Sequence, residues 1–247
     1  MFFLIMKVVS VEGIVIKCTP FKESSKILNV FTPEYGIIGV VSKGCKSIKS
    51  PNRLISENFA YGTFNLSYKE NGLSTLINGD VKNYFINIKS DIVRYSYMSY
   101  LIQFVSEVYK ESNESNLYDL LVNGLSKIED GLNPKVICNI IELKCLEYLG
   151  IGLNVDRCAV CGNEKITTFS ESKGGFVCCD CVEGECSVNL KVLKMLRMYK
   201  YIDINKISKI DISTDVIFEI DKILESYISE YSGINIKARN FLKNITS

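Results

Sequence analysis

The chain has 247 residues, is 47% apolar and balances 29 Lys and Arg against 28 Asp and Glu, a composition that supports a buried core and argues against disorder. Its ten cysteines and complete lack of histidine exclude Ser-His-Asp and Cys-His catalytic pairs, HExxH proteases and a histidine-ligated catalytic zinc. Any general acid or base would have to be Asp, Glu, Lys, Tyr or Cys, and the expectation is a protein without catalytic residues.

The opening run MFFLIM has no preceding positive region and no cleavage signal, so it does not read as a signal peptide, and Met6 is an alternative start. No stretch approaches the roughly 18 apolar residues of a membrane helix. A reducing cytoplasm is expected, with thiols buried or on metal. Charge is unevenly spread. Lys7, Lys17, Lys22, Lys26, Lys43, Lys46, Lys49 and Arg53 face only Glu12, Glu23 and Glu34, a local charge of +5, whereas residues 81–157 are mildly acidic. A basic segment on a near-neutral protein points to an anionic partner.

Residues 8–86 read as β structure. Strands are expected at Val8–Cys18, with Gly13 as a bend or bulge, at Ile27–Phe31, at Ile37–Ser42, at Phe59–Tyr68, and from Leu73 to Ile77, extending past Gly79 toward Ile86. Thr32-Pro33-Glu34-Tyr35-Gly36 is a turn, and Asn71-Gly72 is the strongest hairpin signal in the chain. Five short strands suit a small barrel, with an OB-fold first and an SH3-like barrel as the alternative. Lys43–Arg53, KGCKSIKSPNR, reads as a flexible basic loop in which Cys45 is exposed.

From Ile88 the period becomes helical. Ile92, Tyr95, Met98, Ile102, Val105 and Tyr109 mark a long amphipathic helix, and Leu117–Ile128 a shorter one. Asn133-Pro134 opens a third helix, apolar over much of its circumference and therefore central, which Gly150 and Gly152 stop. Val188–Tyr201, Val216–Tyr231 and a basic segment near Lys237–Lys243 complete the set. The expected organisation is an α+β multidomain chain: a five-stranded barrel over 1–86, then a helical domain over 87–247 with a cysteine module at about 155–186.

That module reads C-x2-C-x16-C-x2-C through Cys158, Cys161, Cys178 and Cys181. Two such knuckles can bring four sulfurs onto one tetrahedral ion, with Gly162 and Gly174-Gly175 letting the backbone turn toward them. Zinc is the expected metal. Free or disulfide-paired thiols and an iron–sulfur site are the alternatives. Four thiolates leave no open position, so the zinc would be structural. Cys179 and Cys186 are ambiguous, with Cys178 a better ligand than Cys179 because it keeps the two-residue gap. Cys138 and Cys145 are core thiols on the apolar helix.

In the basic loop, Lys43, Lys46, Lys49 and Arg53 are candidate phosphate contacts, and Lys17, Lys22 and Lys26 extend the patch. The alternative is a solvated loop. Phe21, Phe31, Tyr35, Tyr61 and Tyr68 are either base-stacking platforms or core residues.

These residues resemble the RecO family of recombination mediators in bacterial DNA repair. The stretch GIVIKCTPFKESSKILNVFTPEYGIIGVVSKGCKSIKS is similar to that family's opening, CAVCG…GGFVCCDC to its zinc module, and YISEYSGINIKARNFL to its closing helix, with Ala238 standing where Ser is expected. The resemblance implies an OB-fold, a helical domain and a four-cysteine zinc site, although some members lack the cysteines. It further implies binding of single- and double-stranded DNA, strand annealing, engagement of single-strand-binding protein and, with RecR, loading of RecA recombinase, in a cytoplasmic, nucleoid-associated protein. The alternative function is a zinc-containing interaction scaffold that does not bind DNA. A zinc deaminase is disfavoured, because its chemistry needs an open metal position.

Overall fold

The computed structural model describes residues 7–246; residues 1–6, including the alternative start at Met6, and Ser247 lie outside the described residues. The chain divides between Ile86 and Asn87 into two compact units. The first is built on five strands: β1 (Lys7–Phe21), β2 (Ser25–Thr32), β3 (Gly36–Ser42), β4 (Tyr61–Tyr68) and β5 (Ser74–Asn83). They close a barrel in the order β1-β2-β3-β5-β4, with β4 returning to β1. Every pairing is antiparallel except β3 with β5, where Val40 and Val41 lie beside Ser74 and Thr75. This is an OB-fold barrel, not the SH3-like alternative.

β1 serves both sides of the barrel. Its first half pairs with β4 from Lys7 to Ile14, and its second half with β2 from Ile14 to Phe21. Gly13 sits at the changeover, where an added Cβ would meet Val30 and the Phe31 carbonyl. The bulge itself falls between Val15 and Lys17. Val9, Val11, Val15, Leu28, Val30, Val40, Phe64, Leu66 and Leu76 point inward and form the core, as the alternation of β-branched and aromatic residues dictates. Gly62 lies so close to the Asp80 carbonyl that no side chain fits there.

The connection from β3 to β4 differs from the expected flexible loop. Its carbonyls at Gly44, Ser47, Ser50 and Arg53 accept from the amides of Ser47, Ser50, Arg53 and Ser56 at 3.1–3.3 Å, so it is a chain of tight turns ending in a short 3-10 segment, Leu54–Ser56. Ile55 of that segment is buried in the barrel core. Phe59, expected as the start of a strand, instead has φ 63 and precedes β4. Its amide bonds the Val15 carbonyl at 2.9 Å, which seats the loop's end on β1.

The second unit holds α1 (Ile86–Lys89, its first residue at the boundary), α2 (Ile92–Ser112), α3 (Asn116–Glu129), α4 (Pro134–Tyr148), α5 (Leu190–Tyr201), α6 (Thr214–Tyr231) and α7 (Lys237–Thr246). Asp91 caps α2 by accepting from the amides of Val93 and Arg94, and Asn133 caps α4 with Pro134 in its first turn. α4 is central: it packs against α2, α3, α5 and α6 and buries ten residues, including Cys138, Cys145 and Glu142. Between α4 and α5 lies a hairpin that the periodicity does not announce, β6 (Thr168–Ser170) with β7 (Gly175–Val177). No described helix is long and apolar enough to cross a membrane.

Candidate metal centre and nucleic-acid interface

Gly162, at φ 75, turns the chain after the first knuckle, and its amide closes the turn on the Cys158 carbonyl at 2.9 Å. The second knuckle begins at the end of β7 and is closed by the Cys181 amide on the Cys178 carbonyl at 3.1 Å. The two are stitched together by bonds from Ala159 to Phe176 (2.7 Å) and from Thr167 to Val177 (2.8 Å). Gly175 is needed here, because the Asn154 carbonyl fills the space of a Cβ. The result brings the sulfurs of Cys158, Cys161, Cys178 and Cys181 within 4.8 Å of one another, with Cys161 and Cys178 at 3.6 Å.

A tetrahedral ion with 2.3 Å metal–sulfur bonds has sulfur–sulfur edges of about 3.8 Å, so the four positions fit a metal of that kind. Electrostatics agree. The backbone amides of Cys161, and then of Cys178 and Val160, hold the Cys158 thiol down to about 6. Its neighbours push Cys181 upward, first through the contact with Cys161. Four crowded thiols cannot all ionise unless a cation sits among them. Cys179 and Cys186 stand outside the group. Cys181-Val182-Glu183 has the cysteine–glutamate spacing of a zinc deaminase, but Glu183 is exposed and pairs with Lys173 at 3.1 Å.

Sequence reasoning missed the residues that hold this module to the helices. Arg197 on α5 donates to the carbonyls of Val155 (2.7 Å) and Asp156 (2.8 Å) and lies over the Phe176 ring. Lys200 donates to the Leu153 carbonyl at 2.9 Å and pairs with Glu147 at 2.8 Å. Also missed is a buried network that fixes α7. Arg239 donates to the Tyr100 hydroxyl at 2.8 Å and contacts Glu142 at 3.3 Å, while Tyr100 donates to Glu142 at 2.5 Å. Glu142 is 1% exposed, and burial raises its carboxyl to about 7 despite the opposing pull of Arg239.

At the barrel, the turn between β1 and β2 meets the β3–β4 loop. The Lys46 amide bonds the Ser24 carbonyl at 3.0 Å and its ammonium the Lys22 carbonyl at 3.1 Å. Asn52 donates to the Ile77 carbonyl at 3.1 Å. Cys45, expected to be exposed, is fully buried because the loop folds back on this turn. Lys22, Lys43, Lys46, Lys49 and Arg53 are all exposed on these two segments, and Lys17 is exposed on β1 opposite Asn29. Lys26 differs: its ammonium is half-buried and held by the Ser56 carbonyl at 3.1 Å and Glu57 at 2.8 Å.

The five aromatics separate in the same way. Phe31 is fully buried. Tyr35 and Tyr68 pack together at 4.5 Å and against the core. Tyr61 donates to Glu12 at 2.5 Å. Phe21 is half-buried beside the basic turn, with the Lys22 ammonium 5.4 Å from its ring centre.

Comparison with known proteins adds the family. The chain matches the family models for the recombination protein O N terminal over residues 6–85 and the recombination protein O C terminal over residues 89–240. It is 34% identical to a DNA repair protein RecO of Listeria monocytogenes serotype 4b, covering 95% of this chain and 93% of the relative. Against the proteins of that name from Halalkalibacterium halodurans and Bacillus pumilus it is 31% and 30% identical, in each case over 96% of this chain and 94% of the relative. With both family models matched in order along nearly the whole length, and relatives at 30–34% identity over almost all of both chains, the chain belongs to the RecO family of DNA repair proteins.

Proposed function

We propose that this chain is a non-catalytic mediator of recombinational repair, working in the cytoplasm at the nucleoid. It binds single- and double-stranded DNA, anneals complementary strands and, with a RecR partner, helps load RecA onto strands coated by single-strand-binding protein. The barrel over residues 1–86 is the DNA-binding domain, and residues 87–247 form the helical domain carrying the zinc module at about 155–186. The observation that carries this reading is the exposed set Lys22, Lys43, Lys46, Lys49 and Arg53 at one end of an OB-fold barrel, which suits phosphate backbones. Lys17 extends it, whereas Lys26 contributes mainly to the loop's attachment.

Annealing requires no bond to break. Two polyanions brought to one basic surface shed counterions and repel each other less. Cys158, Cys161, Cys178 and Cys181 hold one Zn2+, whose role is structural: it ties the two knuckles together and makes the module fold. Metal analysis of the purified chain should give about one zinc per molecule. The deciding experiment is a strand-annealing assay with a labelled oligonucleotide and its complement, run with and without single-strand-binding protein. Acceleration in both cases is expected. Absence of binding and annealing even at low salt would favour the scaffold reading.

A further inference from the structure

The basic loop carries a side chain that phosphate binding does not explain. Ile48 is 84% exposed and lies in the sequence Lys46-Ser47-Ile48-Lys49. It occupies the second position of a tight turn closed by the Ser50 amide on the Ser47 carbonyl at 3.1 Å, following another closed by Ser47 on Gly44 at 3.2 Å. Buried Cys45 anchors the loop on one side of it, and buried Asn52, bonded to Ile77, on the other. The tip is therefore held, not loose, and a β-branched side chain at that tip is stiff about its first torsion.

Lys46 and Lys49 flank Ile48 in the turn, and Lys43 and Arg53 are exposed on the same loop, so a ligand covering Ile48 meets positive charge beside it. DNA has the required combination, apolar base faces between anionic phosphates. We infer that Ile48 is a wedge that enters a base step of the bound strand while the flanking cations hold the phosphates on either side. Isoleucine is among the apolar residues that insert between base steps elsewhere. In an annealing protein, such insertion would splay stacked bases and present their pairing edges to a second strand. This inference rests on the DNA-binding reading and adds to it a distortion of the bound strand.

The test uses the full chain and a single-stranded oligonucleotide with 2-aminopurine between two purines, whose fluorescence rises when the base is unstacked. Wild type should raise the signal at saturation. Ile48→Ser should melt like wild type, because the side chain is already in solvent. It should bind with the same salt slope and an affinity lower by no more than about tenfold, and lose the fluorescence rise. Ile48→Met should restore it. A rise in Ile48→Ser equal to that of wild type overturns the wedge while leaving DNA binding intact. Failure of wild type to bind the oligonucleotide overturns both readings. A parallel titration with an acidic peptide ending in apolar residues provides the third arm. Loss of peptide binding in Ile48→Ser, with its DNA signals unchanged, would make the tip a protein-docking point and overturn the wedge.

Discussion

Replacing Lys43, Lys46, Lys49 and Arg53 together with alanine removes four exposed cations from a loop whose backbone is fixed by its own turns. If each contacts one phosphate, the slope of log affinity against log salt should become shallower by about 0.7 per lost contact on single strands and 0.9 on duplex, or roughly 2.8 and 3.6 in all. Between 50 and 200 mM salt, a fourfold change, wild type should then lose affinity about 50-fold more steeply than the variant on single strands, and about 150-fold more steeply on duplex. Anisotropy titrations at four or five salt concentrations measure both slopes. Because Lys46 also bonds the Lys22 carbonyl, the melting curve must be recorded alongside. Lys26→Ala provides the contrast: its ammonium is held by Ser56 and Glu57, so it should lower stability by about 1 kcal/mol and leave the slope nearly unchanged. Parallel slopes for wild type and the fourfold variant would refute the assignment of the loop to phosphate.

Cys178→Ser should lose bound metal and raise amide exchange through β6, β7 and both knuckles, since metal binding contributes folding energy there; full metal content with unchanged stability would reassign the ligand. Arg197→Ala breaks two charge-assisted bonds to the carbonyls of Val155 and Asp156 and should cost the helical unit roughly 2 kcal/mol, with Arg197→Lys a poor rescue because it lacks the planar fork; denaturant unfolding of the two variants measures this. Glu142 should make the helical unit less stable as pH rises. Its folded carboxyl, lifted by burial from 4.5 to about 7, keeps a proton that the unfolded chain has lost, so stability falls between pH 4.5 and 7 by roughly 3 kcal/mol and then levels off. Glu142→Gln should flatten that profile, and an unchanged profile would show that another group sets it.

The barrel was legible because its strands carry Val and Ile runs between turn signals, and the Cys158–Cys181 pattern because its spacing is short and local. What the sequence hid depends on contacts between distant segments. Cys45 sits in a polar, basic stretch, yet it is buried because Lys46 bonds back to Ser24. Phe59 continues an alternating run, but its positive φ ends the loop instead of starting the strand. β6 and β7 have three residues each, too few for any period to show. Lys26 has the same composition signal as its neighbours, and its half-burial and its contacts with Ser56 and Glu57 separate it from them. Arg239 looks like one more base in a basic helix, and its partners Tyr100 and Glu142 lie 139 and 97 residues away.

The double use of β1 constrains how the barrel is made on the ribosome. β1, β2 and β3 can form a meander as soon as they emerge, but the Lys7–Ile14 half of β1 has its partner in Tyr61–Tyr68. At 5–20 residues per second, translation from Ile14 to Tyr61 takes roughly 2 to 10 s. During that interval, Val8, Val9 and Val11 lie on an open sheet edge that another nascent chain could occupy. The open edge of β3, which later receives β5 in parallel, waits over the shorter span from Val41 to Thr75. Expression at lower temperature or with a holdase chaperone should therefore improve the soluble yield of wild type more than that of a variant with a lysine at exposed Val8, since a charge there blunts edge pairing while leaving the core side chains in place.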